Sequence, residues 1–307
     1  PSDDSAISAA NSGESTSGRP VRGACPEASA RSAASSLAGG GVSAADSPNL
    51  LFTDNQVVGN QALTSLGGAM FLLNTQGNIS RNQFVSNTAN GGGAIAFDRS
   101  APVVFGNRFL LNRVTGYGGA LLIQDGAAPD IVSNEIYGNL AGNQGAGVMI
   151  SAANPRLRYN SIIENGGSGA GEGVRLFNVS HVNMTGNVIV GHRVGIDANS
   201  NSAADLIRNN LWGNTVAYRG VQRSATDLAA DPAYIGGTMS PYYLSQQAAG
   251  QRTTSPLVDA GPQPASDLGL DGVSTRTDNV GDTGLVDLGA HYLIFTGPAR
   301  MWIPLVR

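Results

Sequence analysis

Asparagine recurs at two fixed positions of a repeat, and this repeat constrains the fold more than any other feature. Each copy reads apolar-x-x-Asn-x-apolar-x-x-Asn, and the first asparagines of the seven copies are 27, 25, 27, 26, 27 and 22 residues apart. A period of this length is typical of a solenoid. The first column contains Asn55, Asn82, Asn107, Asn134, Asn160, Asn187 and Asn209; the second contains Asn60, Asn87, Asn112, Asn139, Asn165 and Asn214, with His192 in the sixth copy.

A second motif, Gly-Gly-Ala followed by alternating apolar residues, lies between the asparagine pairs. It begins at Gly67, Gly92 and Gly118, and less complete copies follow. Short segments of period two, separated by Gly, Asn, Asp and Pro, predict strands and turns. The residues predicted to point into the core are Met70, Leu72, Ile95, Phe97, Leu121, Ile123, Val148 and Ile150.

The repeat predicts an all-β chain in which every 25–27 residues form one coil of a parallel β-helix. We expect about seven to eight coils over residues 39–220, each with about three short strands. Asparagines at equivalent corners predict ladders, in which each amide donates to one coil and accepts from the other. His192 is predicted to continue or end its ladder.

The asparagine columns and the Gly-Gly-Ala column all keep their register along the chain. Residues 39–220 therefore resemble the right-handed parallel β-helix proteins. That group includes pectate lyases, polygalacturonases, phage tailspikes and many bacterial surface proteins. The resemblance implies a right-handed coil. It leaves open whether the chain is an enzyme.

Residues 1–38 are rich in Ser, Ala and Gly and lack the repeat. Because the end of a β-helix leaves strand edges unpaired, this segment is predicted to be a cap, a flexible leader or a strand donated to a neighbour. The start at Pro1 is what a processed chain would show. Cys25 is the only cysteine, so an intrachain disulfide is excluded. A free thiol and an intermolecular disulfide both stay open.

From residue 221 to residue 307 the repeat gives way to motifs such as Ser255–Gly261 and Asp287–Ala290. This series resembles the choice-of-anchor C-terminal extension of bacterial cell-surface β-helix proteins, although His291-Tyr292 depart from its closing motif. The resemblance implies an irregular β extension and an extracellular or cell-surface location in a bacterium. The terminal residues Trp302, Ile303, Pro304, Leu305 and Val306 are interpreted either as a last strand packed on the core or as a tail that binds another subunit or the envelope.

Charge and hydropathy exclude two classes of partner. The formal net charge of −4 argues against nucleic-acid binding, which normally needs a basic face. No apolar run reaches the length of a membrane-spanning helix. All 18 basic residues are arginine, and the predicted fold offers no reason for this.

Pectate-lyase-like catalysis needs a calcium cluster of carboxylates from adjacent coils in one column, with an arginine or lysine as base, and polygalacturonase-like hydrolysis needs a pair of acids. No column carries them; Asp98 and Asp125 come closest, and we interpret both as solvated turn residues. The Asp-Asp, Gly-His-Gly and Arg-Ile-Lys signatures of polygalacturonases are absent. No cofactor is expected. The only calcium candidates are the dense C-terminal acids Asp267, Asp271, Asp278 and Asp282.

These observations favour a non-enzymatic extracellular structural or adhesive protein with a rigid β-helical rod. It is expected to form a homo-oligomer or a filament through its ends or tails, with contacts to the cell envelope or to polysaccharide. The alternative is a polysaccharide lyase or hydrolase, or a polysaccharide-binding module, that uses the long face of the helix. A phage tailspike is a third hypothesis.

Overall fold

The structure, a computed structural model, describes residues 7–9, 39–167 and 171–294. It is a right-handed parallel β-solenoid of about seven stacked coils, which confirms the predicted fold class. Three sheets run along the solenoid, and we name them A, B and C in the order in which the chain enters them. A fourth sheet, D, is present only in the first four coils.

Sheet A has nine strands, of which the first pairs antiparallel and the others parallel. Its strands are Ile7–Ala9, Val42–Ala45, Met70–Leu73, Ile95–Asp98, Leu121–Gln124, Val148–Ser151, Glu172–Phe177, Val194–Ala198 and Val216–Arg219.

Sheets B and C have seven parallel strands each. Sheet B contains Leu50–Thr53, Gly77–Ser80, Val103–Phe105, Asp130–Val132, Arg156–Arg158, His181–Thr185 and Ala203–Ile207. Sheet C contains Gln56–Val58, Gln83–Val85, Arg108–Leu110, Glu135–Tyr137, Ser161–Ile163, Val188–Val190 and Asn210–Trp212.

Sheet D adds a fourth strand to the first four coils, where only three strands per coil were expected. Its strands are Gln61–Leu66, Thr88–Gly91, Arg113–Val114 and Leu140–Ala141. In the fifth coil this sheet is reduced to an isolated parallel bridge between Gly166 and Leu140. The coil from Asn187 to Asn209 is the shortest of the repeat, at 22 residues.

A single apolar core fills the inside of the solenoid from Ala44 to Leu211. All eight residues predicted to point inward have zero exposure, so this prediction is confirmed. Like residues stack on like: the rings of Phe84 and Phe109 are 5.1 Å apart and nearly parallel. Each buried apolar side chain stabilises the fold by roughly 1.5–3 kcal/mol.

The two glycines of the Gly-Gly-Ala motif are required for different physical reasons. Gly67 has φ +72°, a left-handed conformation that favours glycine. At Gly68 the neighbouring coil is the constraint, since a Cβ there would lie 2.2 Å from the carbonyl oxygen of Gly93. The motif therefore marks a tight corner followed by a close approach of two coils.

The C-terminal segment, residues 221–294, folds back over the outer face of sheet C. It contains two antiparallel pairs and two short 3-10 helices, and its apolar residues cover the strands below them. Val188 of sheet C, for example, is buried among Leu244, Leu257 and Leu288. The antiparallel pairs are Tyr234–Ile235 with Tyr243–Leu244 and Val273–Ser274 with Tyr292–Leu293; the 3-10 helices are Gln247–Ala249 and Ala265–Leu268.

At the N-terminal end, Ile7–Ala9 pairs with the first parallel strand of sheet A, Val42–Ala45. Of the three interpretations of residues 1–38, this pairing has the form of a cap. Residues 1–6 and 10–38, including Cys25, lie outside the described residues.

Candidate functional site

The asparagines of each column are joined by the same three hydrogen bonds. In the middle of the first column, the backbone N–H and the Nδ2 amide of Asn107 both donate to Oδ1 of Asn134, at 2.8 and 3.0 Å. The same Nδ2 also donates to the carbonyl oxygen of Ile79, one coil back, at 2.8 Å. The residues of the first ladder are Asn55, Asn82, Asn107, Asn134, Asn160, Asn187 and Asn209; those of the second are Asn60, Asn87, Asn112, Asn139, Asn165, His192 and Asn214.

His192 continues the second ladder as a neutral imidazole. The Asn165 amide lies 3.2 Å from Nε2 of His192, and Oδ1 of Asn214 lies 3.1 Å from Nδ1. Because the amide donates and the Asn214 oxygen accepts, Nδ1 must carry the proton and Nε2 must be bare. Burial lowers the pKa of His192 to about 4, although the hydrogen bond to Asn214 acts in the opposite direction. The imidazole therefore stands in for an asparagine amide.

Asp227 closes the first ladder, a role that the repeat did not reveal. Its Oδ1 accepts the backbone N–H of Asn209 at 2.8 Å, and its Oδ2 accepts the hydroxyl of Tyr218 at 3.0 Å. A carboxylate has no amide proton to pass to a further coil, so the ladder stops there. Asp227 follows Asn209 by only 18 residues, a shorter step than any in the repeat, so the repeat spacing does not reveal it.

Carboxylates of the β-helix pair with arginines one coil away. Four of these pairs are bidentate, with two guanidinium nitrogens on two carboxylate oxygens, as in Arg81 with Asp54 at 2.8 and 2.6 Å. The hydrogen bond from Arg81 lowers the pKa of the Asp54 carboxyl. The cross-coil pairs are Asp54–Arg81, Asp130–Arg158, Glu135–Arg108, Glu172–Arg193, Asp197–Arg175 and Asp197–Arg219.

The densest set of these charges, which we call the arginine cluster, lies at the late coils of sheet A. Asp197 is buried and accepts from Arg175 at 2.7 Å and from Arg219 at 2.5 Å. Hydrogen bonding to Asp197 raises the pKa of Arg219. Glu172, also buried, contacts Arg193 at 2.5 Å, and half of the Arg193 side chain is exposed. The cluster comprises Glu172, Arg175, Arg193, Asp197 and Arg219.

Asp98 and Asp125, the two acids that came closest to a catalytic pair, are linked through an amide. Nε2 of Gln124 lies 3.4 Å from Asp98 Oδ2 and 3.2 Å from Asp125 Oδ2. Asp98 also contacts the guanidinium of Arg99 at 3.3 Å. The two carboxylates thus share one donor, the Gln124 amide.

The four calcium candidates of the C-terminal segment do not come together. Asp278 pairs with Arg276 at 2.6 Å, and this hydrogen bond lowers the Asp278 pKa. Asp267 lies in the first turn of a 3-10 helix. Within the described ranges, no group of three or more His, Cys, Asp or Glu is placed to hold a metal ion. Arg276 contacts Asp278 and His291 contacts Asp282, and the calcium site stays a prediction.

The remaining candidate, Asp282, belongs to a buried network that fastens the C-terminal segment to itself. Its Oδ2 contacts Nε2 of His291 at 2.8 Å and accepts the backbone N–H of Asp287 at 2.9 Å. Burial, together with the charge of Asp282, raises the pKa of Asp287. Asp287 in turn accepts hydrogen bonds from Thr275 and Gln246.

A cavity of about 30 Å³ lies where this segment meets sheets B and C, lined in part by Arg81, Arg108 and Tyr292. It has room for about two water molecules and none for a sugar ring. The terminal residues Trp302, Ile303, Pro304, Leu305 and Val306 lie outside the described residues. None of the helices in the described part of the chain is long and apolar enough to span a membrane.

A sequence model of the family described as "Right handed beta helix region" matches residues 30–211, which is more than half of the chain. The chain belongs to the right-handed β-helix family. Members of this family include adhesive surface proteins and polysaccharide-degrading enzymes. No curated protein and no solved structure matches the chain.

Proposed function

We propose that this β-helix protein is a non-enzymatic, extracellular structural or adhesive protein of a bacterial cell surface, in which the solenoid is a rigid rod. The observation that carries the proposal is the pairing of half of the β-helix carboxylates, including the buried Glu135, Glu172 and Asp197, with arginines of the adjacent coil. Acid–base catalysis on a glycosidic bond needs two carboxylates free to hold or release a proton. Here the paired acids instead tie coil to coil.

The same geometry supports stiffness. Two ladders and one continuous core link every coil to the next, and each buried amide hydrogen bond adds about 1 kcal/mol. Bending the rod would break hydrogen bonds in both ladders at once. A rod of this kind suits a spacer or an adhesive stalk.

The end coils offer the surfaces for attachment. Large exposed apolar side chains occur on both of them: Leu51, Val58 and Leu63 on the first coil, and Ile207, Trp212 and Val216 on the last. We propose that these ends, or the tail Trp302–Val306, attach the rod to copies of itself or to the envelope, giving a homo-oligomer or a filament.

Direct stacking of a last coil on a first coil is the less favoured route. Sheet D exists only at the N-terminal end, and Asp227 already closes the first ladder at the other end. The two ends of the solenoid therefore differ in their number of sheets and in their ladder residues, and cannot continue each other's coils. Contact through side-chain patches or tails avoids this mismatch.

Sizing of the full chain over a range of concentrations, with electron microscopy, tests the attachment proposal. We expect species larger than a monomer, reduced in the double variant Ile207→Ser, Trp212→Ser. Val280→Ser, a change of an equally exposed residue in the C-terminal segment, is the matched control. A chain that stays monomeric at high concentration would sink the proposal of self-assembly.

A second candidate function is binding of acidic polysaccharide by the arginine cluster. It is favoured because Arg193 and Arg219 are about half exposed and Phe177, 44% exposed, lies beside Arg175. Cations next to an aromatic face suit a sugar ring that carries a carboxylate. Salt-sensitive retention on an immobilised acidic polysaccharide, lost in Arg193→Gln but kept in Arg113→Gln, would support it; no retention would reject it.

A further inference from the structure

The last described strand runs along the solenoid axis toward the N-terminal end. Three successive backbone N–H groups each donate to a different coil, and each step moves one coil back. These hydrogen bonds are Gly289 N–H to the Gly186 carbonyl at 3.0 Å, Ala290 N–H to Ser161 Oγ at 2.9 Å, and His291 N–H to Ser133 Oγ at 2.8 Å. Leu293 continues this path, because it lines the same cavity as Phe105 of the third coil and packs on the same apolar cluster.

Only two coils then separate this strand from the N-terminal end. Coils are about 4.8 Å apart, so the first coil lies roughly 10 Å beyond Phe105. At least thirteen residues, 295–307, follow Ile294. An extended chain advances about 3.3 Å per residue, so about three of them reach the first coil and the rest can lie on it.

The surface ahead of this strand is apolar and exposed. Leu51 and Val58, which we call the first-coil patch, are 64% and 56% exposed on the outer faces of sheets B and C, and Val103 of the third coil is 42% exposed. Leu51 and Val103 flank Asn78 in one column of sheet B. Isolated apolar residues are common on surfaces, but these three lie between the last described strand and the end of the rod, where they form a docking surface for an apolar segment.

Two acceptors beside the patch lack donors. Oδ1 of Asn78 and Oε1 of Gln83 are buried, yet neither has a hydrogen-bond partner among the described residues. Buried oxygens of this kind are almost always bonded. Gln83 also lines the cavity next to Leu293, where the chain leaves the third coil. Backbone N–H groups of a strand that continued in the same direction would meet both acceptors.

We propose that residues 295–307 dock on their own solenoid, with Trp302–Val306 covering the first-coil patch and backbone N–H groups serving Asn78 and Gln83. The other undescribed segment, residues 10–38, begins and ends at sheet A, after Ala9 and before Gly39. Sheet A is not the face that carries the patch. The inference refines the proposed function, because a first-coil patch occupied by its own tail leaves Ile207, Trp212 and Val216 of the last coil as the attachment surface.

Fluorescence tests the proposal directly, because the chain has only two tryptophans, Trp212 and Trp302. The variant Trp212→Phe leaves Trp302 as the only tryptophan, so emission excited beyond the tyrosine absorption band reports on Trp302 alone. We expect blue-shifted emission and protection from acrylamide at every concentration, with the chain monomeric in the dilute range. Adding Leu51→Glu and Val58→Glu should shift the emission to the red and remove the protection. These exposed sites tolerate the charge, and Leu111→Glu, at a residue 52% exposed outside the patch, is the matched control that should change nothing.

Three results would overturn the proposal. The first is solvent-like emission of Trp302 in Trp212→Phe alone. The second is blue-shifted emission that Leu51→Glu and Val58→Glu leave unchanged, which would place the tail elsewhere. The third is protection that appears only as the concentration rises and dimers form, which would make a second copy the docking partner.

Discussion

The backbone N–H of Asn209 donates to Oδ1 of Asp227 at 2.8 Å, in the geometry that every earlier asparagine of the first ladder uses toward the next asparagine. A carboxylate thus occupies the position of an eighth amide. Its oxygen accepts the backbone N–H of Asn209. Because a carboxylate has no amide proton, Asp227 needs no acceptor in a further coil. The first ladder therefore ends at the corner where a carboxylate replaces the amide.

Replacing Asp227 tests this closing role. Asp227→Ala leaves the Asn209 N–H buried without an acceptor and should lower the free energy of unfolding by about 1–3 kcal/mol. Asp227→Asn keeps the acceptor and should recover most of that loss. Urea denaturation of the three proteins measures both changes, and equal stabilities of wild type and Asp227→Ala would show that the ladder needs no cap.

His192 should make the solenoid sensitive to mild acid. Its folded-state pKa of about 4 lies below the value of about 6.5 expected in the unfolded chain, so between these values the unfolded state binds more protons. Stability should therefore be complete above pH 6.5 and fall by about 3 kcal/mol as the pH drops to 4. Denaturation midpoints measured from pH 7 to pH 4 show this slope.

The matched control for His192 is His192→Asn, which restores the residue found at the other ladder positions. The contribution of the imidazole to the pH slope should disappear, while the stability at pH 7 is maintained. An unchanged slope in His192→Asn would mean that other groups cause the acid sensitivity.

The cross-coil ion pairs should contribute differently to the free energy of unfolding, according to how deeply each pair is buried. Glu135 has 1% of its side chain exposed, so Arg108→Ala strands a buried carboxylate and should cost about 3–5 kcal/mol. The exposed pair of Arg81 and Asp54 should cost at most about 1 kcal/mol when Arg81 is changed to Ala. Thermal or urea unfolding of the two variants compares them; similar losses would contradict the assignment of Glu135 to a buried pair.

A ladder asparagine should matter far more than an exposed one. Asn134→Ala removes a fully buried amide that bonds to both neighbouring coils, and we expect a loss of about 3 kcal/mol. Asn201→Ala, at an exposed turn, should change stability by less than about 0.5 kcal/mol. Denaturation of both variants checks the difference, and equal effects would argue that the ladders are incidental to stability.

The periodic part of the fold could be predicted from the sequence because every coil of a solenoid has the same arrangement of core and ladder positions. A core residue such as Phe97 and a ladder residue such as Asn107 each recur at the same offset, so their columns are visible without a structure. The fourth strand of the early coils was missed, since short segments such as Leu140–Ala141 carry no clear alternation.

The charged pairs were missed for a different reason. A column of acids alone does not show them, because the structure pairs acids with arginines about one coil away, as in Asp54 with Arg81. Opposite charges at the repeat spacing are the sequence signal of these pairs. They also give a physical reason for arginine in place of lysine, because only a planar guanidinium can bind both oxygens of a carboxylate with two nitrogens.

The packing of the C-terminal segment could not be predicted. His291 bonds to Ser133, 158 residues earlier, and no periodic or local pattern links positions so far apart. The motifs of residues 221–307 predicted turns and short strands but not the face of the β-helix that they cover.

The most direct test of the proposed non-enzymatic role is a cleavage assay on acidic polysaccharides with the full chain, following both reducing ends and unsaturated products. Asp98→Asn, Asp125→Asn serves as the comparison, because these two acids of neighbouring coils come closest to a catalytic pair in the repeat. The account predicts no product above background from either protein. Product released by the wild type and lost in the double variant would contradict it.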